Sequence, residues 1–453
     1  MKKYILALTA AATLLGACEV DDKYYGKEVV DPAEKLEPAY GEDWTAHADK
    51  IDEKLIENFM NTDRGTFWYT DQDRTNESTY CYWPQAHAMD VLIDAYLRIP
   101  EGDARRDTYA GYMSKWYENK GNNYGNSYWG TYGFGNAYTD DSEWIILTLI
   151  RMYEATGVQK YLAAARKTYE ETVIARWTED ENGGGIRWSF DAENSKNACS
   201  NGPGALCAMR LWANSPKGAE RDQYLADAKK IYNWLSSTLY NPLTGAVSDN
   251  MKNGVINGGA LTYNQGTFMG AAHELYKATG DAKYMTAAAR AARYTMKSMV
   301  TNGVRNNEGS GDNALFKGIF VRYAMNVWKD ASVDKADAGL RREIEEFLIY
   351  NGLVCWRDGV DKSEGSKWFF GGFWGEPGSS WDGRLNEQVS ASTMIEAMAL
   401  LIEKGARSSG QAKRKSGFRP ALSSFDLLRR MLCRIPCRGC GGCYAGASPD
   451  AVS

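Results

Sequence analysis

Residues 153–165 read YEATGVQKYLAAA, and residues 276–288 read YKATGDAKYMTAA, the same pattern 123 positions later. Midway between them, Tyr224 to Tyr232 (YLADAKKIY) echoes Tyr161 to Tyr169 (YLAAARKTY), so the repeating unit is about 60 residues long. Each unit reads as a helix closed by a glycine, a short turn and a second helix. Gly157 and Gly280 stand where the first helix of their units must end in a left-handed residue, a conformation that glycine adopts without strain.

Working outward, two kinds of helix alternate. One is apolar almost all round, as in Trp144-Ile-Ile-Leu-Thr-Leu-Ile-Arg-Met-Tyr153, and must be buried. The other carries one apolar stripe: over 160–177, Leu162, Ala165, Tyr169 and Val173 share a face while Lys167, Glu170 and Glu171 lie off it. Buried helices are expected near 85–98, 141–156, 202–213, 265–279, 315–328 and 387–404. Amphipathic ones are expected near 45–60, 105–118, 159–176, 220–238, 281–299 and 338–351. Six apolar helices enclosed by six amphipathic ones describe an all-α (α/α)6 barrel over residues 45–405. A helical solenoid is the alternative, but its repeats usually run roughly 34–47 residues.

The chain has 453 residues, 44% hydrophobic and 25% charged, which suits a folded domain with a sizeable core. A net charge of -5 argues against nucleic acid as a partner. The ends depart from the barrel pattern. Residues 1–17 read as a signal peptide, with Lys2 and Lys3 before an apolar run. Leu15-Gly16-Ala17-Cys18 resembles the lipobox of bacterial lipoproteins, which makes Cys18 the lipidation site and 18–44 a flexible tether. Acidic Glu19, Asp21 and Asp22 resemble a surface-export signal, so an outer-membrane or cell-surface lipoprotein is expected, with the membrane a partner only through the anchor. After Gly405 come nine Lys or Arg against two acids, and four of the nine cysteines (Cys433, Cys437, Cys440, Cys443). This abrupt change marks 406–453 as a disordered or out-of-frame tail. Its glycines and lack of histidine speak against a metal site. Disulfide pairing among Cys81, Cys199, Cys207 and Cys355 stays open.

A barrel of this kind gathers the starts of its inner helices at one end. Those starts are polar: Trp83-Pro84-Gln85, Asp140-Asp141, Asn201-Gly202-Pro203, Asn264-Gln265-Gly266, Phe316-Lys317-Gly318 and Asn386-Glu387-Gln388. Each alone reads as a cap; six in one bowl read as a binding surface. Loops entering the bowl carry Trp129, Tyr132, Trp188, Tyr263, Trp374 and Trp381, rings suited either to packing or to stacking on sugars. The expected substrate-binding set is Trp83, Trp129, Tyr132, Trp188, Asn201, Tyr263, Asn264, Gln265, Lys317 and Trp374.

Asp140 and Asp141 open a helix otherwise built from Trp, Ile and Leu. Two like charges there repel, and their proton affinities can part until one carboxyl is ionised and the other protonated. That division suits glycosidic cleavage, and adjacent residues can hold carboxyls about 5–5.5 Å apart, the retaining separation. An N-cap and a first-turn residue would account for the pair equally well.

With that pair, Gly183-Gly-Gly-Ile-Arg-Trp188, Asn197-Ala-Cys-Ser-Asn-Gly-Pro203, Thr262-Tyr-Asn-Gln-Gly266 and Phe316-Lys-Gly-Ile-Phe-Val-Arg-Tyr323, the chain resembles glycoside hydrolase family 76, the endo-α-1,6-mannanases. The blocks fall in order and span the barrel. The resemblance implies a retaining endo-acting hydrolase of α-1,6-mannosidic bonds in the backbone of yeast-type mannan. It makes Asp140 the nucleophile and Asp141 the acid/base, with no metal or organic cofactor. The alternatives are a non-catalytic glycan-binding surface lipoprotein, or a glycosidase or transglycosidase acting on another mannose-containing polymer. A lyase of acidic polymers is disfavoured by 44 basic against 56 acidic residues up to Gly405.

Overall fold

The structure, a computed structural model, describes residues 35–74, 82–123, 133–191, 195–378 and 383–416, without the side chains of 120–123 and 404–416. Trp129, Tyr132, Trp381, Cys18, Cys81 and the four tail cysteines lie outside these residues.

Twelve long helices alternate along the described chain. The odd-numbered ones are α1 (Trp44–Phe59), α3 (Arg105–Asn123), α5 (Gln159–Thr168), α7 (Ala219–Thr238), α9 (Ala282–Ser298) and α11 (Leu340–Asp358). The even-numbered ones are α2 (Tyr82–Arg98), α4 (Thr139–Thr156), α6 (Ala198–Ala213), α8 (Thr262–Thr279), α10 (Asp312–Lys329) and α12 (Leu385–Ser416). Even-numbered helices are buried nearly all round, and odd-numbered ones along one stripe. The fold is therefore the (α/α)6 barrel read from the repeat. Gly157 and Gly280 close α4 and α8 in left-handed conformation, at φ 73° and 71°, each amide donating back to a tyrosine carbonyl.

Successive inner helices pack side by side from α2 to α10. A β-carbon on Gly266 would come within 2.8 Å of the Phe320 backbone, and one on Gly318 within 2.9 Å of Ser390, so glycine sets the close approach of α8 to α10 and of α10 to α12. Arg98 of α2 donates to Glu396 of α12 at 2.8 Å and closes the ring. Within it, Arg151 of α4 and Arg322 of α10 share Asp90 and Asp94 of α2 at 2.5–3.5 Å. Such buried charges are tolerable because each has opposite charges beside it.

Inner helices begin two to four residues before the expected starts, because their polar first turns are helical. On the outer layer, α5 continues through a π-turn (Tyr169–Val173) and a 3-10 turn (Ile174–Arg176). Short antiparallel pairs join the elements: β1 (Met60–Asn61) with β2 (Thr66–Phe67), β3 (Ser195–Asn197) with β4 (Asn250–Lys252) and β5 (Val255–Asn257), and β6 (Val300–Thr301) with β7 (Val304–Arg305). Contacts divide the chain into Met1–Ile402 and Glu403–Ser453. The described part of the second unit is helical to Ser416, past the Gly405 boundary.

Candidate active site

Neither aspartate caps α4. Its N-cap is Tyr138, in extended conformation and without a side-chain cap bond, so Asp140 and Asp141 lie inside the first turn. There the unpaired amides and the helix dipole favour negative charge. The turn is anchored from outside the helix. Thr139 donates its amide to the Trp188 carbonyl at 2.8 Å and its hydroxyl to the Arg187 carbonyl at 2.7 Å. Buried Arg176 donates to the carbonyls of Asn136 and Ala137 and to Thr139 Oγ1, at 2.8–3.1 Å. The Trp188 ring leans on Tyr138 with centroids 5.0 Å apart. This is why Gly183–Trp188 belongs to the candidate site: its carbonyls and the Trp188 ring hold the first turn of α4 in place.

Asp140 is half-buried, and its Oδ1 has neither solvent nor a hydrogen-bond partner. Burial raises its pKa to about 6, against the opposing pull of the Cys199 thiol, the local amides and Trp188. Asp141 is also half-buried, and its charge adds to the burial that holds the Tyr82 hydroxyl far above the usual phenol range. One turn on, Glu143 is completely buried with both carboxyl oxygens unpartnered, and burial followed by the Asp140 charge raises it well above the carboxylate range. A β-carbon on Gly204 would lie 2.8 Å from its Oε1, so the glycine of the Asn197–Pro203 block's helix makes room for this carboxyl.

An aromatic floor lies beside the pair. Trp144 sits 6.4 Å from Trp83 and 4.9 Å from His87, Trp83 sits 6.3 Å from Phe316, and Phe316 stacks on Tyr263 at 3.9 Å. The His87 ring is held neutral by burial, its pKa lowered to about 3. Trp83, Trp188 and Tyr263 are half-buried at this bowl. Asn264 donates to Asp249 at 3.1 Å and keeps an unpartnered Oδ1.

Other residues of the expected set serve the scaffold. Asn201 accepts from the Ile186 amide at 2.8 Å and donates to the Ile186 and Asn197 carbonyls. Gln265 accepts from the Val247 amide and donates to the Gly245 and Ala291 carbonyls. Gln85 clamps both backbone groups of Phe67 in the same way. A carboxamide in the first turn of an inner helix thus seals the backbone of the preceding loop. Lys317 is fully buried, donating to the Gly372 carbonyl at 2.6 Å, and burial lowers its pKa to about 8. Trp374 is 1% exposed and belongs to the core. Sequence reasoning passed over Glu143, Asp249 and Asp312; only Glu143 stands close to a predicted site residue, two positions after Asp141. Cys199, Cys207 and Cys355 are buried free thiols.

A double helical barrel with paired carboxylates at the mouth of an inner helix is the architecture of a carbohydrate-active enzyme. Residues 43–410 match the model of glycosyl hydrolase family 76, and the chain belongs to that family. Among solved structures it is similar to the α-1,6-mannanase GH76A of Salegentibacter sp. HEL1_6, with 34% identity and a TM-score of 0.68 over 79% of this chain and 100% of that one. That mannanase was captured with α-1,6-mannotriose in a variant inactivated by replacing two consecutive aspartates with asparagine. The Lin0763 protein of Listeria innocua is 25% identical, with a TM-score of 0.68 over 80% of this chain and 99% of that one. A mannan endo-1,6-alpha-mannosidase of Candida albicans, DFG5, is 25% identical over 51% of this chain and 53% of its own length. A mannan endo-1,6-alpha-mannosidase of Saccharomyces cerevisiae, DCW1, is 27% identical over 51% of this chain and 52% of its own length. The chain spans about half the length of these curated relatives.

Proposed function

We propose that this protein is a retaining endo-α-1,6-mannosidase that cuts the backbone of yeast-type mannan. The observation that carries the reading is the Asp140–Asp141 pair in the first turn of α4, open to a bowl floored by Trp83, Trp144 and Tyr263. The mannotriose complex of the Salegentibacter enzyme, and its inactivation at two consecutive aspartates, support the substrate and the pair. Asp140 attacks the anomeric carbon. Asp141 protonates the departing oxygen and then deprotonates the water that releases the product. A pKa of about 6 leaves Asp140 mainly ionised at pH 7, as a nucleophile requires. Lipid anchoring through Cys18 would place the enzyme at the cell surface, where polymers too large to import are met.

The test is the product profile on debranched α-1,6-mannan, with the anomer of the first product read by NMR. A ladder of α-configured oligosaccharides is expected. Monosaccharide alone, or a first product of β configuration, rejects the endo or the retaining assignment respectively.

A further inference from the structure

Across the ring from α4, α10 opens with Asp312, an exposed aspartate in the glycine-rich run Glu308-Gly-Ser-Gly-Asp312. Its Oδ1 accepts from the Trp83 indole nitrogen at 3.2 Å and from Asn386 Nδ2 at 3.3 Å. Both donors converge on one oxygen, and a carboxylate oxygen offers about two acceptor sites. Oδ1 is therefore saturated, while Oδ2 accepts from none of the described residues. Although the residue is exposed, its carboxyl is partly shielded from water, which raises its pKa, and those two donors pull it back.

The surroundings are built rather than incidental. Asn386 is completely buried and directs its amide at Asp312, yet its Oδ1 has no partner. Glu387, 7% exposed, accepts from the Gly311 amide at 3.2 Å beside Asp312 and leaves Oε2 unpartnered. Unsatisfied buried polar atoms are costly unless something completes them. Trp83 ties this corner to the catalytic helix, since its ring also meets Trp144, four residues beyond Asp140.

We propose that Asp312, Asn386 and Trp83 form a hexose subsite that grips two adjacent hydroxyls of a sugar unit other than the one attacked by Asp140. The inference rests on the proposed function for its ligand. In an α-1,6-linked chain, O1 and O6 carry the linkages, so O2, O3 and O4 of each unit are free to donate. Two neighbouring hydroxyls can share Oδ2, with Trp83 as the apolar wall. The ligand is thus a neutral hexose unit with an unsubstituted vicinal diol, and a side branch on either gripped hydroxyl is excluded.

In the active chain, Asp312→Ala should raise KM for α-1,6-mannotetraose roughly ten- to hundredfold, the range for losing hydrogen bonds to a charged group. Its kcat should change less than threefold. Asp312→Asn, which keeps the volume, covers the case in which the alanine variant fails to fold. A KM within twofold of wild type for a folded variant overturns the subsite. Calorimetric titration of mannotetraose into an Asp140→Asn/Asp141→Asn chain, with and without Asp312→Asn, separates this from the activity. If wild type cuts no mannan, the proposed function falls, while weaker binding on loss of Asp312 still upholds the subsite. Equal binding by both chains, or binding by neither, overturns it.

Discussion

Glu143 lies one helical turn beyond Asp140 on the same face of α4, and burial raises both carboxyls. Asp140 reaches the bowl, whereas Glu143 is sealed with neither oxygen hydrogen-bonded. The inner carboxyl is thereby kept protonated, so the outer one meets a neutral neighbour and can carry charge.

Asp140 should set the acid limb of activity, with kcat/KM falling as pH drops through about 6. Its effect on stability has a definite sign. The folded-state value lies above the unfolded one of about 3.9, so the folded chain binds more protons between about pH 4 and 6. Stability from this group therefore falls as pH rises through that window and is level above it. Relative to wild type, Asp140→Asn should gain on the order of 2 kcal/mol between pH 4 and pH 7, read by urea unfolding. A constant difference between the variants across that range would show that burial does not perturb the carboxyl.

Glu143→Gln should be nearly silent. Glutamine copies the shape of the protonated acid, so kcat at pH 7 should stay within about threefold and stability within about 1 kcal/mol. Glu143→Ala leaves a void against Gly204 and Ile186 and should cost about 2–4 kcal/mol. A hundredfold loss of kcat in the glutamine variant would mean that Glu143 works as an anion.

The carboxamide clamps should be needed for folding and not for chemistry. Gln265→Leu strands the Val247 amide and the Gly245 carbonyl in the interior, at about 2–4 kcal/mol. Asn201→Leu should behave alike through Ile186. Folded molecules of either variant, counted by active-site titration, should keep kcat within about fivefold. A large rise in KM without loss of stability would return these residues to the substrate.

Cys18 should carry the membrane anchor. Labelled fatty acid should enter the wild-type chain and not Cys18→Ala, with the alanine variant recovered in soluble fractions. Equal labelling of both would remove the anchor from the proposal.

The barrel was legible because the sixty-residue beat and the two helix types are local patterns. The inner-helix starts were misplaced by a few residues for a related reason: a polar first turn such as Asn264-Gln265 interrupts the apolar pattern that marks a buried helix. Gln265 and Asn201 were read as ligands because a clamp and a sugar donor call for the same side chain. What distinguishes them is a hydrogen bond to a loop some twenty residues away, which no local pattern encodes. Asp312 gave no signal at all, being a lone acid in a glycine-rich run that any turn could explain.

Asp140 and Asp141 should fail differently. As nucleophile, Asp140 has no substitute, so Asp140→Asn should abolish hydrolysis of every glycoside while oligosaccharide binding persists. Asp141 protonates the leaving oxygen, so its loss matters most when that oxygen departs poorly. With an activated aryl mannoside, Asp141→Ala should keep much of the first step and then stall as a glycosyl-enzyme, because no base remains to activate water. Azide needs no base, and it should attack that intermediate from the face the leaving group vacated. Two inversions give an α-configured glycosyl azide, identifiable by NMR. A β-configured azide would mean direct displacement without an enzyme-bound sugar, or exchanged roles for the two residues. If both variants cut mannan at the wild-type rate, the pair only supports the start of α4, and the reacting carboxyls must be sought elsewhere in the bowl.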